Sequence, residues 1–232
     1  MRRSRQRGNR ATLRGFWLRA EDVIRIVMSL PKVLLRVAPR TLLGVVMLAP
    51  VMGWSHVSQG ETGGGFLSGF LHPMFGPDHV IAMIAVGIWG AQLGIPAIWL
   101  LPVTFPIVMA IGAVLGALGL PIPGVKFAIA LSAVALGAMV ALAARPPLWI
   151  AAMLVGAFAI FHGYPHGANL ADSVNPMGFA IGFVVATGTL HAIGILIGVA
   201  NRWPGGARLL RAIGAAIAAG GIYFLASYLV SA

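Results

Sequence analysis

Leu71-His72-Pro73-Met74-Phe75-Gly76-Pro77-Asp78-His79 places two imidazoles and a carboxylate inside a run that is otherwise almost wholly apolar from Gly63 to Ile95. Ionisable groups at such depth are expensive in lipid and face a protein interior or a pathway. Pro73, Gly76 and Pro77 are expected to break the helix, and the carbonyls they free must find other partners. A broken membrane helix with His, Asp and His at the break has the makings of a cation site.

The rest of the chain agrees with a membrane setting. Only 9% of the 232 residues are charged and 59% are hydrophobic, against about a quarter charged in soluble domains; the mean hydropathy is +0.93. The formal charge of +11 does not signal nucleic acid, because eleven of the sixteen Lys and Arg lie within the first forty residues. The sequence has no cysteine, which excludes disulfides and thiolate metal sites and leaves His, Asp, Glu, Asn, Met and backbone oxygen as ligands.

Residues 1–55 read as a basic N-terminal extension and signal peptide, with Met28 a conventional alternative start and Gly53-Trp54-Ser55 a tolerable cleavage site before His56. A mature N-terminus at His56 would set an α-amino group beside an imidazole, a pair that chelates divalent metals. Residues 56–232 read as one all-α, polytopic transmembrane domain. Six spans are expected by length: Gly64 to Leu93 with the break inside it, Pro96 to Leu118, Val125 to Ala144, Leu148 to Tyr164, Pro176 to Ala200 and Leu209 to Val230. Arg145 and the group Arg202, Arg208 and Arg211 fall on one side by this count, which the positive-inside rule makes cytoplasmic. A polar loop is expected from His166 to Asn175, facing outward. Gly112 and Gly116, Gly178 and Gly182, Gly194 and Gly198 are spaced for close helix packing. Trp89, Trp99 and Trp149, near span ends, are expected to be interfacial anchors.

Five of the six histidines fall within the bundle: His72, His79, His162, His166 and His191. His162 and His166 are four apart, so a helix would put both on one face. Neutral imidazole suits nickel, copper, zinc and cobalt, and a carboxylate supplies compensating charge. Asp78 could instead hold a neighbouring imidazole in one tautomer. Met74 and Met83 could add soft ligands, although ten Met in an apolar chain are mostly packing. Ligand types alone leave the metal open.

His72-Pro73-x-x-Gly76-x-Asp78-His79, followed by Ala82-Met83-x-Ala85-Val86-Gly87-x-Trp89, resembles the signature of the HupE/UreJ family. Phe161-His162-Gly163-x-x-His166-Gly167 and Leu190-His191-Ala192-x-Gly194 extend the likeness, which runs from about His56 to the C-terminus. The resemblance implies a bacterial inner-membrane accessory protein of nickel hydrogenase or urease maturation, regarded as a nickel permease with a cleaved leader. It makes His72, Asp78, His79, His162, His166 and His191 the metal candidates, with His56, Asn169 and Asp172 as weaker ones. Where the family usually has an acidic residue after the second motif, this chain has Asn169, which lowers the charge of the site unless Asp172 replaces it. Other nickel/cobalt permeases have one residue fewer between the first His and the Asp-His pair. The expected cargo is Ni²⁺, with Co²⁺ or another divalent ion as the alternative, and the expected partners are the lipid bilayer and maturation proteins. A metal-binding sensor or assembly scaffold and an intramembrane metalloenzyme are the competing readings. No Walker motif is present, so an ion gradient, the membrane potential or a partner would drive transport.

Overall fold

The structure, a computed structural model, describes residues 65–171 and 175–231. The expected leader and cleavage site lie outside the described residues. Among the described residues, seven α-helices follow one another: α1 Phe66–Phe75, α2 Pro77–Leu93, α3 Ala97–Ala117, α4 Val125–Leu142, α5 Leu148–Ala171, α6 Pro176–Gly198 and α7 Gly206–Ser231. Among the described residues, α3 to α7 are each long and apolar enough to cross a membrane. Helices α1 and α2 are bent by 82° at the break and make a sixth span if taken as one.

The break falls where the chain chemistry puts it, with one correction. Gly76 leaves α1 in an extended conformation, and Pro77 starts α2 at a position where its missing N–H costs nothing. Pro73, expected to share in the break, lies inside α1 instead. Its ring is buried, and the short helix continues for two residues beyond it.

Helix α2 is the axis of the bundle and packs against α3, α4, α6 and α7. Ala82, Met83, Ala85, Val86, Ile88 and Trp89 are all wholly buried. Met83 is therefore core, and Met74 packs against the same core. Trp89 corrects an expectation, for it is no interfacial anchor. Its indole N–H donates to the Ala144 carbonyl at 2.9 Å, and the Gln92 amide donates to the Val140 carbonyl at 3.2 Å. The first satisfies the Ala144 carbonyl just past the end of α4, and the second adds to a Val140 carbonyl that also accepts from the Ala143 N–H. Trp99 and Trp149 are exposed, as anchors would be.

Those two bonds also fix the ends of the bundle. The C-termini of α2 and α4 lie together with Arg145, and Gly198 on α6 lies against Ala91 on α2, bringing Arg202, Arg208 and Arg211 to the same end. The Gly76 break, at the other end of α2, is therefore on the side away from these arginines.

Close approach between helices rests on glycine. A Cβ at Gly112 or Gly116 of α3 would collide with the carbonyls of Ile160 and Tyr164 on α5. In return, a Cβ at Gly163 or Gly167 would collide with the carbonyls of Met109 and Ala113. Gly182 and Gly194 meet the carbonyls of Phe66 and Ile84 in the same way. The expected packing role of the paired glycines is thus met at the backbone.

Candidate functional site

Three helices meet at the level of the break and deliver its polar groups. Asp78 and His79 occupy the first turn of α2, directly after the Gly76-Pro77 step. The Asp78 carboxylate folds back on its neighbour: Oδ1 accepts from the His79 backbone N–H at 2.9 Å and lies 2.9 Å from His79 Nδ1. With the carboxylate as acceptor, Nδ1 of neutral His79 carries the hydrogen, and its Nε2 lone pair points the other way. Asp78 is thus the partner that orients the ring, one of the two roles its position allowed. It is also the sole acidic residue among those described.

Helix α5 supplies the other half. Its helix does not end before His166, as the expected polar loop required, but continues through Pro165 to Ala171. Pro165 removes one backbone bond, a loss that membrane bundles tolerate where neighbouring helices are in contact, and Gly163 and Gly167 hold α5 against α3 on either side of it. His162 and His166 consequently share a face, as the four-residue spacing predicted. The glycine after each histidine sets the backbone against α3 while the imidazole turns inward. Sequence reasoning missed this role, although a repeated His-Gly at a spacing of four was the signal for it.

The rings converge on His79. Nε2 of His166 lies 3.0 Å from Nε2 of His79. Because His79 presents a lone pair there, His166 donates, leaving its own Nδ1 without a partner among the described residues. His162 stands 5.0 Å from His79 between ring centroids, and His166 stands 4.9 Å from it. His162 is fixed by a 3.0 Å contact between Nδ1 and the Phe158 carbonyl, which leaves Nε2 unpartnered. His72, one helix earlier on α1, packs edge-on to His166 at 4.7 Å. Phe179 and Phe183 of α6 wall this group, with Phe183 only 4.3 Å from His166.

Exposure falls in order along the set. His72 is exposed, the Asp78 side chain is 34% exposed, His79 and His166 are 8% and 4% exposed, and His162 is wholly buried. His191 on α6 is also buried but stands apart from the others. The fully buried ring of Phe105, on α3, lies between, 5.4 Å from His162 on one side and 5.4 Å from His191 on the other. Neither nitrogen of His191 has a hydrogen-bond partner among the described residues.

The arrangement is a graded series of donors and not a finished cage. Among the described residues, no three His, Asp or Glu side chains stand in a geometry that could hold a metal ion. The closest pair, His79 and His166, is joined by a hydrogen bond between its Nε2 atoms, and an ion bound there would take the place of that hydrogen. Of the weaker candidates, Asp172 and His56 lie outside the described residues, as does the side chain of Asn169, although its backbone belongs to α5.

Comparison with known proteins gives two matches. The profile of the HupE / UreJ protein family matches residues 43–224. Protein HupE of Rhizobium leguminosarum bv. viciae is 41% identical over 171 residues, covering 74% of this chain and 90% of that protein. No solved structure matches the chain.

Proposed function

The chain belongs to the HupE/UreJ family, and from that premise we propose that it is a permease carrying Ni²⁺ into the cytoplasm for hydrogenase or urease maturation. One observation carries the reading: a descending series of imidazoles, from exposed His72 to buried His162, gathered around the one carboxylate among the described residues, at a broken membrane helix. Structural histidines in a membrane bundle would be expected to find their own hydrogen bonds. Here four buried nitrogens, on His162, His166 and His191, have none among the described residues.

His72 receives the hydrated ion at the mouth. The His79 and His166 pair replaces part of its water, and the Asp78 carboxylate offsets its charge. His162 takes the ion deeper, and His191 receives it beyond Phe105. Arg145, Arg202, Arg208 and Arg211 sit at the end away from the break, so the positive-inside rule sets the mouth outward, in the inner membrane of a bacterium. An inside-negative potential favours inward movement of a dication by about 4.6 kcal/mol per 100 mV. This suffices as a driving force without a nucleotide site.

The test is uptake of ⁶³Ni by cells lacking their own nickel importers, with wild type and His79→Ala at equal abundance. Wild-type uptake that falls to background with His79→Ala supports the permease. Absence of uptake from cells whose purified protein still binds nickel would overturn it in favour of a metal-binding scaffold.

A further inference from the structure

The series of imidazoles has a gap at Phe105, where a passing ion has a nitrogen behind it, a nitrogen ahead of it and a hydrocarbon ring in between. We propose that the hydroxyl of Thr187 is the oxygen ligand that bridges this gap, handing the ion from the His79, His166 and His162 group to His191. The role presupposes that the chain is a permease.

The placement follows from helical register. Phe183, Thr187 and His191 are four residues apart and stack on one face of α6, and they are 6%, 0% and 2% exposed. Phe183 touches His166 at one end of this face, with ring centroids 4.3 Å apart. His191 touches Phe105 at the other end, and Phe105 in turn touches His162. Thr187 therefore lies four residues, about 6 Å of rise, from each end of the interval. The other buried side chains that α6 carries between Phe183 and His191 are Ala186 and Leu190, which offer no ligand.

The hydroxyl is also prepared for the task. It donates to the Phe183 carbonyl at 2.8 Å, so its hydrogen is directed back along the helix while its oxygen keeps lone pairs for an acceptor role. A threonine in a membrane helix commonly makes this back-bond simply to satisfy itself, and the same helix contains such a case. Thr189 donates to the Val185 carbonyl at 2.8 Å but is exposed on the outer surface of the bundle. The two residues make the same local bond and differ in what they face, so each is the control for the other.

The experiment compares full-length wild type, Thr187→Val, Thr187→Ser and Thr189→Val in proteoliposomes, reading initial rates of ⁶³Ni²⁺ influx, together with equilibrium nickel binding to the purified proteins. Thr187→Val is expected to lower the maximal rate tenfold or more, with KM for nickel and equilibrium binding both within twofold of wild type. Thr187→Ser, which restores an oxygen, should keep at least half of the rate, and Thr189→Val should match wild type. Wild-type influx from Thr187→Val would overturn the proposal, as would an equal fall in both valine variants or a loss of binding with the loss of flux. Absence of influx from wild type itself would overturn the permease reading, and this proposal with it.

Discussion

The two segments that deliver histidines to the site solve the same problem in opposite ways. At His72 to His79 the chain ends one helix and begins another, turning through 82° at Gly76 and Pro77. At His162 to His166 it keeps one helix running past Pro165. Both contain proline within a histidine motif, so proline alone does not decide the outcome. The difference lies in what stands beside it. Gly76-Pro77 offers an extended cap followed by a helix-starting residue, whereas Pro165 is flanked by Gly163 and Gly167, which press α5 onto α3 and hold the helix together from outside. The broken segment gains a carboxylate in the first turn of a new helix, and the continuous one gains two imidazoles in register.

Three substitutions bear on that contrast. The largest effect is expected at Gly163, where a Cβ would run into the Met109 backbone. Gly163→Leu should cost more than the ~3 kcal/mol at the upper end of ordinary overpacking, seen as loss of folded protein from detergent-solubilised membranes. Normal abundance would show that α3 does not hold α5. A smaller effect is expected at the break. Gly76 has φ of −84°, so alanine is not strained there, but its Cβ would sit 3.1 Å from His79 Nδ1 and 3.3 Å from the Asp78 carboxylate. Gly76→Ala should leave abundance unchanged and weaken nickel binding about threefold to tenfold, up to 1.4 kcal/mol, measured by equilibrium dialysis. The smallest effect belongs to Pro165→Ala, which returns a backbone N–H to a helix that is already continuous. Nickel influx should stay within twofold of wild type, whereas a severe loss would mean that the proline is needed to aim His166.

Much of this contrast was legible in the chain, and the remainder was hidden for definable reasons. The break declared itself because Gly76-Pro77-Asp78 combines an end signal with a start signal. The shared face of His162 and His166 followed from spacing alone. The length of α5 did not, because His166 and Asn169 look like loop residues when only polarity is weighed, and the support for Pro165 comes from α3, far away in sequence. Trp89 was misjudged for a related reason. Helix α2 is apolar on every side, so no stripe distinguishes a core tryptophan from one at the interface, and its partner at Ala144 is 55 residues away. Thr187 stayed invisible because threonine in a membrane helix normally explains itself by bonding backward. Only its position between Phe183 and His191, set against exposed Thr189, gives it a further meaning.

The central claim is that nickel moves along these imidazoles and does not merely rest on them. The most direct measurement is ⁶³Ni²⁺ influx into sealed proteoliposomes under an imposed inside-negative potential, comparing wild type with His166→Ala. The account predicts influx that grows with the potential in wild type and falls to the rate of protein-free vesicles in His166→Ala, with the variant still folded. Wild-type vesicles that bind nickel on their outer face but admit none, at any potential, would contradict it.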